Sequence, residues 1–262
     1  MSGITLPEVI EKYGSEDRCH AFLEELRWPD GVKCPRCDSD KISRIVKRRQ
    51  FDCDGCRYQF SVRVDTIFHD SKLPLWKWFL AVYMMVESKK GISANQLSRM
   101  LGVSYKTAWY LCHRIRSTMT DESGELLSGI VEADETFIGG KKRFPAGTSA
   151  QDRALHRRDN KTVVLGAVER GGDDDTRHEY VDHSRNEWVR GQIHTNTVES
   201  VWSLFDRSVI GAYHKLSVKH LPAYLDEAAF RWNNRSNPNM FRDTILALVE
   251  GDTLTYSELT AK

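Results

Sequence analysis

Two Cys-x-x-Cys pairs constrain the fold of this chain more than any other feature of its sequence. Cys34 and Cys37 form the first pair, and Cys53 and Cys56 form the second after a spacer of fifteen residues. Because each pair can direct two thiolates at one ion, the four predict a closed, structural metal site of tetrahedral geometry. Zinc is favoured because nothing else in the chain indicates electron transfer, although thiolate tetrahedra also suit iron. Gly55 is expected to allow the tight turn of the second pair.

The composition limits the class of protein. The 262 residues can form two or three small domains, and the 40% hydrophobic content is enough for real cores. The net charge is +1, so any surface that binds nucleic acid must be a local patch. The longest apolar stretch, 73–86, is too short to span a membrane, and residues 1–13 carry no signal-peptide core. These features predict a cytoplasmic protein with no membrane partner, in which cysteine pairs serve metals rather than disulfides.

The spacer between the cysteine pairs carries a basic run. Lys47, Arg48 and Arg49 are predicted to contact DNA phosphates at one edge of the ribbon. A solvated basic strand explains this run equally well when the run is taken alone. Cys19 and Cys112 have no partner at the same spacing and are expected to be packing residues on helices.

Residues 93–109 predict a helix, a glycine turn and a second helix. Gly102 suits a left-handed turn position, and Ser104 suits the N-cap of the second helix. This pattern favours a DNA-binding helix-turn-helix over an ordinary helical hairpin, because it includes both the turn glycine and the capping serine. A recognition helix presents its N-terminal residues to base edges and uses basic residues on phosphates. Six residues of the second helix are expected to be exposed: Tyr105, Lys106 and Tyr110, then His113, Arg114 and Arg116. Ser104, Tyr105, Lys106 and Arg114 are predicted to bind DNA.

Acidic residues in the second half of the chain form a weaker signal. Residues 131–140 read as a strand that carries Asp134 and ends in a glycine turn, and residues 162–168 read as a second strand. Taken alone, an exposed strand acid is a better interpretation of Asp134 than a metal ligand. Asn196 and Glu199 begin a predicted helix that runs to about residue 208, where they resemble a capping box.

Taken together, these motifs resemble one family. The chain is similar to insertion-sequence transposases that have an N-terminal zinc ribbon and an ISXO-like DDE domain (group fifteen-ninety-five). Matching stretches follow the family order nearly end to end: RWPDG (27–31), CPRC (34–37), residues 68–79, DETFIGG (134–140), HTNTVES (194–200), YLDE (224–227) and RWNNR (231–235).

The resemblance implies a fold and an activity. It implies an RNase H-like sheet that holds two divalent ions, Mg or Mn, and uses them to cut and join DNA strands at inverted-repeat ends and at a target. The first catalytic acid of the family matches Asp134. The third position matches Asn196, with Glu199 one helical turn later.

Two departures from the family pattern predict impaired catalysis. The second aspartate of the family follows a strand and a helix, yet only a handful of residues separate 168 from 180, where the pattern resumes. Asp173, Asp174, Asp175 or Asp182 could replace it, although a solvated acidic turn is the better interpretation of the first three. Asp206 stands where the family commonly has a lysine. The lost section would also leave exposed strand edges, which predicts instability or self-association on DNA.

These observations define three predicted domains in a multidomain α+β chain. Residues 1–70 are assigned to an N-terminal helix plus zinc ribbon, 71–128 to a helix-turn-helix domain, and 129–262 to an RNase H-like domain without its central section. The predicted function is DNA transposition, impaired in this copy. The alternative is a catalytically inactive protein that binds element ends and inhibits an intact transposase.

Overall fold

The computed structural model describes residues 3–120, 127–139, 143–156, 159, 161–169, 189–190 and 193–261. These residues form two compact units. The first unit combines the N-terminal part, up to residue 120, with the C-terminal part from residue 226, and the second unit lies between them. The boundaries expected from the sequence, 70 and 128, are therefore not those of the compact units. Residues 226–262 fold with the N-terminal part, because their apolar side chains enter its core.

A three-stranded antiparallel sheet forms the ribbon of the first unit. Its strands are β1 (Ile42–Ile45), β2 (Gln50–Cys53) and β3 (Gln59–Phe60), with β2 in the centre. Phe51 pairs with Phe60 across β2 and β3, and both rings are buried against Trp28. This small cluster includes Cys34 and Cys53, so its apolar contacts stand directly beside the metal ligands.

Helices make up the rest of the first unit. They are α1 (Leu6–Tyr13), α2 (Glu16–Arg27), α3 (Leu75–Val86), α4 (Ala94–Leu101), α5 (Tyr105–Arg116), α9 (Met240–Glu250) and α10 (Tyr256–Thr260), together with the C-terminal part of α8 (Leu221–Asn233). The apolar stretch 73–86 forms α3, which is hydrophobic on most sides and therefore lies at the centre of the core. Among the described residues, no helix is long and apolar enough to cross a membrane.

The two lone cysteines are packing residues, as the sequence predicted. Cys19 on α2 and Cys112 on α5 are fully buried in the helical core. Burial raises the pKa of Cys19 to about 12 and that of Cys112 to about 11, so both stay as neutral thiols.

The second unit is built on an antiparallel hairpin covered by one helix. Strands β4 (Val131–Ile138) and β5 (Thr162–Glu169) pair along their whole length, with Asp134 opposite Gly166. Helix α6 (Ala150–Leu155) lies between them in sequence. Two short strands, β6 (Val189–Arg190) and β7 (Ile193–His194), precede α7 (Asn196–Ser208), which packs on the hairpin. Trp202 of α7 lies against Gly166, where a Cβ atom would come within 2.3 Å of its ring.

Candidate metal centre and nucleic-acid interface

The four cysteines of the ribbon converge as a metal-binding group. Their sulfur atoms all lie within 4.8 Å of one another. Cys34 Sγ is 3.6 Å from Cys56 Sγ, and Cys37 Sγ is 3.5 Å from Cys53 Sγ. A zinc–sulfur bond of about 2.3 Å requires tetrahedron edges of roughly 3.8 Å, so these separations fit a single zinc ion. All four positions are filled by protein, and the site is therefore structural.

Each Cys-x-x-Cys turn closes in the same way. Asp38 and Arg57 directly follow the second cysteine of their pairs, and both adopt left-handed backbone conformations, with φ of 56° and 57°. Their N–H groups donate to the carbonyl oxygens of Cys34 and Cys53, at 2.9 and 2.8 Å. The expectation that Gly55 makes the turn possible is wrong, because Gly55 does not have a positive φ.

The backbone of the second turn also favours the metal-binding form of a thiol. The N–H of Cys56 donates to the sulfur of Cys53, and this lowers the pKa of Cys53 to about 7. Metal binding requires thiolates, so a donor at this position reduces the cost of deprotonation.

The basic run of the ribbon lies in the turn between β1 and β2 rather than on a strand. Lys47 and Arg48 are exposed in a short helical turn, and Arg49 follows with a left-handed φ of 50°. Arg49 Nε pairs with Asp17 Oδ1 at 2.6 Å. This turn therefore presents two cations to solvent, while the charge of the third is partly neutralised.

Helices α4 and α5 have the capped, glycine-linked arrangement that the sequence predicted. Gly102 ends α4 in the left-handed conformation, with φ of 60° and ψ of 48°. The Ser104 hydroxyl accepts the N–H of Thr107 at 3.1 Å and so caps α5. Tyr105 and Lys106 are exposed at the start of α5, where a DNA-binding helix presents its base-reading residues.

The C-terminal half of α5 is not exposed, and this part of the prediction is wrong. His113, Arg114 and Arg116 are each less than 5% exposed. Arg114 donates to the carbonyl oxygen of His69 at 2.8 Å and lies over the ring of Trp78. The predicted exposure is wrong because basic residues in a last helical turn normally face solvent, whereas both faces of this turn are packed.

Arg116 is buried through a charge cluster that the sequence did not reveal. Its Nε donates to Glu227 Oε2 at 2.6 Å, and Arg231 pairs with the other carboxylate oxygen of Glu227. Glu227 is fully buried on α8, so this carboxylate joins α5 to the C-terminal part of the chain. Tyr110 is only half-buried, but its hydroxyl donates to the carbonyl of Leu254.

In the second unit, a buried acid that was not singled out in the sequence positions α7. Glu132 of β4 accepts the backbone N–H groups of Thr197 and Val198, at 2.7 and 3.0 Å, and contacts His194 Nδ1 at 3.2 Å. A carboxylate at a helix N-terminus satisfies free donors and favourably meets the helix dipole. The only sequence signal for this role was that Glu132 is two residues from Asp134 and so shares its strand face.

The predicted catalytic residues surround this junction. Asp134 is half-buried on the same face of β4 as Glu132. Asn196 is exposed as the first residue of α7, and Glu199 accepts the Thr195 hydroxyl at 2.9 Å. The capping-box interpretation of Asn196 is wrong, because Thr195 holds the cap position and Glu132 supplies the acceptor.

The described part of this unit does not assemble a divalent-cation site. Among the described residues, the four ribbon cysteines are the one group of three or more acidic, histidine or cysteine side chains that could hold a metal. In the described ranges, Asp134 and Glu199 do not belong to such a group. Asp173, Asp174, Asp175 and Asp182 lie outside the described residues.

Comparisons with known proteins identify the family. A model described as "Transposase zinc-ribbon domain" matches residues 14–59, and one described as "ISXO2-like transposase domain" matches residues 126–178 and 172–233. A protein described as an uncharacterized protein in transposable element ISH50 of Halobacterium salinarum is 28% identical over 269 residues. That comparison covers 82% of this chain and 90% of the relative. No solved structure matches.

One chain therefore contains a zinc-ribbon match followed by a transposase-domain match. The zinc-ribbon match contains all four converging cysteines, and the transposase-domain match contains Asp134, Asn196 and Glu199. The chain belongs to the IS1595 group of zinc-ribbon transposases.

Proposed function

We propose that this protein binds the ends of its element through the ribbon and the α4–α5 pair, used as a helix-turn-helix, and that strand cleavage and transfer are impaired in this copy. The observation that carries the binding part is the start of α5, where a capped helix terminus presents Tyr105 and Lys106 to solvent. Lys47 and Arg48 on the ribbon turn supply additional phosphate contacts, whereas Arg49 contributes less because it is paired with Asp17.

A missing central section accounts for the proposed loss of catalysis. The comparison with the ISH50 protein runs over 269 positions but uses 82% of 262 residues, about 215 of this chain. Roughly fifty positions of the relative therefore face no residue here, enough for a strand, helix and strand crossover, which needs about 30 residues or more.

The transposase-domain match supports the same position for the missing section. It falls into two stretches that overlap at residues 172–178, inside the interval where the second aspartate should follow its strand. Two-metal chemistry would require the full set of carboxylates, since the pair of ions would together stabilise the attacking and the leaving oxygens. Asp134, Asn196 and Glu199 then remain as a partial set.

The second unit has features that fit an RNase H-like domain with part of its sheet removed. Its hairpin buries one face under α7, while Val163 and Leu165 on the opposite face are 52% and 79% exposed. A two-stranded sheet is marginal alone, and exposed apolar faces favour association. We therefore expect the protein to self-associate on DNA, or to mix with an intact transposase and inhibit it.

The experiment is a mobility-shift titration on inverted-repeat DNA from the flanks of the reading frame. It compares repeat DNA with scrambled DNA, with zinc and with a chelator, and then adds Mg²⁺ or Mn²⁺ to a plasmid that carries both ends. Asp134→Ala is the matched variant for cleavage, and Lys106→Ala is the matched variant for binding.

Each result is decisive for one part of the proposal. Specific binding without cleavage, unchanged in Asp134→Ala, is expected. Equal affinity for repeat and scrambled DNA would refute end recognition. Cleavage that disappears in Asp134→Ala would refute impairment and would direct attention to Asp173, Asp174, Asp175 and Asp182 as replacement ligands.

A further inference from the structure

We propose that a cleft in the first unit binds a phosphodiester group of DNA, with Arg114 as its buried anchor. The cleft has a volume of about 1000 Å³ and lies between the turn at 69–73, the face of α5 that extends from Lys106 to Arg114, and residues 253–256. The inference rests on the proposed DNA-binding function, because it specifies which atoms of the bound DNA this surface receives.

The first argument is a buried positive charge that lacks a counter-charge. Arg114 lines the cleft and is 4% exposed. Among the described residues, no carboxylate oxygen lies within 4.0 Å of its guanidinium, and its Nε atom is buried with no hydrogen-bond partner. Burying an uncompensated charge is costly, and an anion in the cleft would reduce that cost.

The surroundings of Arg114 hold its guanidinium in place. Nη2 donates to the carbonyl oxygen of His69, and the guanidinium carbon lies 5.2 Å from the ring centres of both Trp78 and Tyr110. Burial lowers the pKa of Arg114, while nearby Asp70 and Tyr110 raise it. The group remains charged because arginine titrates far above neutral pH.

Other charges at the cleft are mostly positive. Lys72 and Lys106 line it, and Lys106 Nζ lies 4.2 Å from the ring centre of Tyr256. Asp70 is the one acid among the described lining residues, and its side chain is 94% exposed and lies 3.6 Å from His69. A guanidinium and two ammonium groups with a single solvated carboxylate favour an anionic ligand.

The position on α5 identifies the anion as a DNA phosphate. Ser104 and Thr107, at the N-terminus of this twelve-residue helix, also line the cleft, and helix N-termini favour phosphate groups. Tyr105 is exposed at the same end of the helix. The sugar-phosphate backbone of a duplex whose bases contact the start of α5 therefore lies next to the cleft. Phosphate contacts there would fix the register of the protein on the duplex.

The test uses inorganic phosphate and DNA as separate probes of the zinc-loaded full chain. The side-chain Nε–Hε resonance of Arg114, assigned by its disappearance in Arg114→Lys, is followed by NMR during a phosphate titration at constant ionic strength. We expect a saturable shift in the wild type and at least a threefold weaker affinity in Lys72→Ala and Lys106→Ala. Lys89→Ala, an exposed lysine that does not line the cleft, is the matched control.

The DNA arm repeats the measurement with the repeat duplex and with scrambled duplex. Two results support the inference. The Arg114 resonance shifts when DNA is added, and in Lys72→Ala the slope of log binding constant against log salt concentration is smaller by about one. If the Arg114 resonance shifts with neither phosphate nor DNA, the inference is overturned, even if DNA binds elsewhere and the proposed function stands. A response to phosphate but not to DNA overturns the DNA assignment and leaves a site for free phosphate. If no DNA binds at all, the proposed function fails as well.

Discussion

The two units of this protein reach stability by different means. The first unit buries apolar side chains from α1, α2, α3, α5 and α9 in one core, and its ribbon adds four thiolates around a structural zinc site. In the described residues of the second unit, α7 covers the β4–β5 hairpin, and Ile138, Val198 and Phe205 are among the buried apolar residues. The buried carboxylate of Glu132 accepts backbone N–H groups at the start of that helix and so docks it on the hairpin.

This difference indicates which unit can keep its fold when residues are lost from the chain. A metal site and a core formed by both chain termini do not depend on the middle of the chain, so the first unit can keep its fold when the middle is shortened. A central sheet depends on every strand, because each strand covers the hydrogen-bonding edge of the next. Four perturbations, ordered by expected effect, test this comparison.

Removing the metal should have the largest effect. Cys53→Ser, or exhaustive chelation, is expected to unfold the ribbon and abolish DNA binding, because the apolar cluster around Phe51 and Phe60 is too small to hold the three strands alone. Metal content, measured by mass spectrometry, and amide hydrogen exchange over residues 34–60 would report this. Ser39→Ala, which follows the first cysteine pair and is not a metal ligand, is the control. Unchanged exchange in the metal-free protein would contradict the prediction.

Glu227→Ala should destabilise the first unit by about 3–5 kcal/mol, because it leaves the buried guanidinium of Arg116 without its carboxylate. Urea unfolding, followed by circular dichroism, would measure the loss. Asp17→Ala removes an exposed partner of Arg49 and should change stability little. Equal effects of the two variants would show that α8 does not depend on this buried charge cluster.

Glu132→Ala should destabilise the second unit by about 1–3 kcal/mol, because two backbone N–H groups at the start of α7 lose their acceptor. Faster hydrogen exchange at Thr197 and Val198 is the expected readout. Glu135→Ala, on the exposed face of the same strand, is the matched control. Equally faster hydrogen exchange in the first unit would contradict the prediction that the effect is confined to the second unit.

Ser104→Ala should have the smallest effect, a loss of about 1 kcal/mol confined to the start of α5. Hydrogen exchange over residues 105–108 would locate it, and Ser104→Thr, which keeps a hydroxyl acceptor, should restore most of the protection. Weaker DNA binding without any change in exchange would instead indicate a direct contact between Ser104 and DNA.

The sequence was sufficient wherever a local rule decides the structure. The spacing of Cys34, Cys37, Cys53 and Cys56 predicted one metal site, since a Cys-x-x-Cys turn fixes the positions of its own sulfurs. Gly102 ends α4 and Ser104 caps α5, as predicted, because turn conformation and capping depend on neighbouring residues. The strands at 131–138 and 162–169 also follow from their apolar patterns.

Only the tertiary structure decided the partners of charged residues. Arg114 and Arg116 look like solvent-facing cations on a helix, yet packing buries both, and the carboxylate that meets Arg116 comes from Glu227, 111 residues away. The role of Glu132 was hidden for the same reason, because the backbone N–H groups that donate to it lie 65 and 66 residues along the chain. Local propensity acts over one or two helical turns, whereas compensation of a buried charge depends on which distant segments the core brings together.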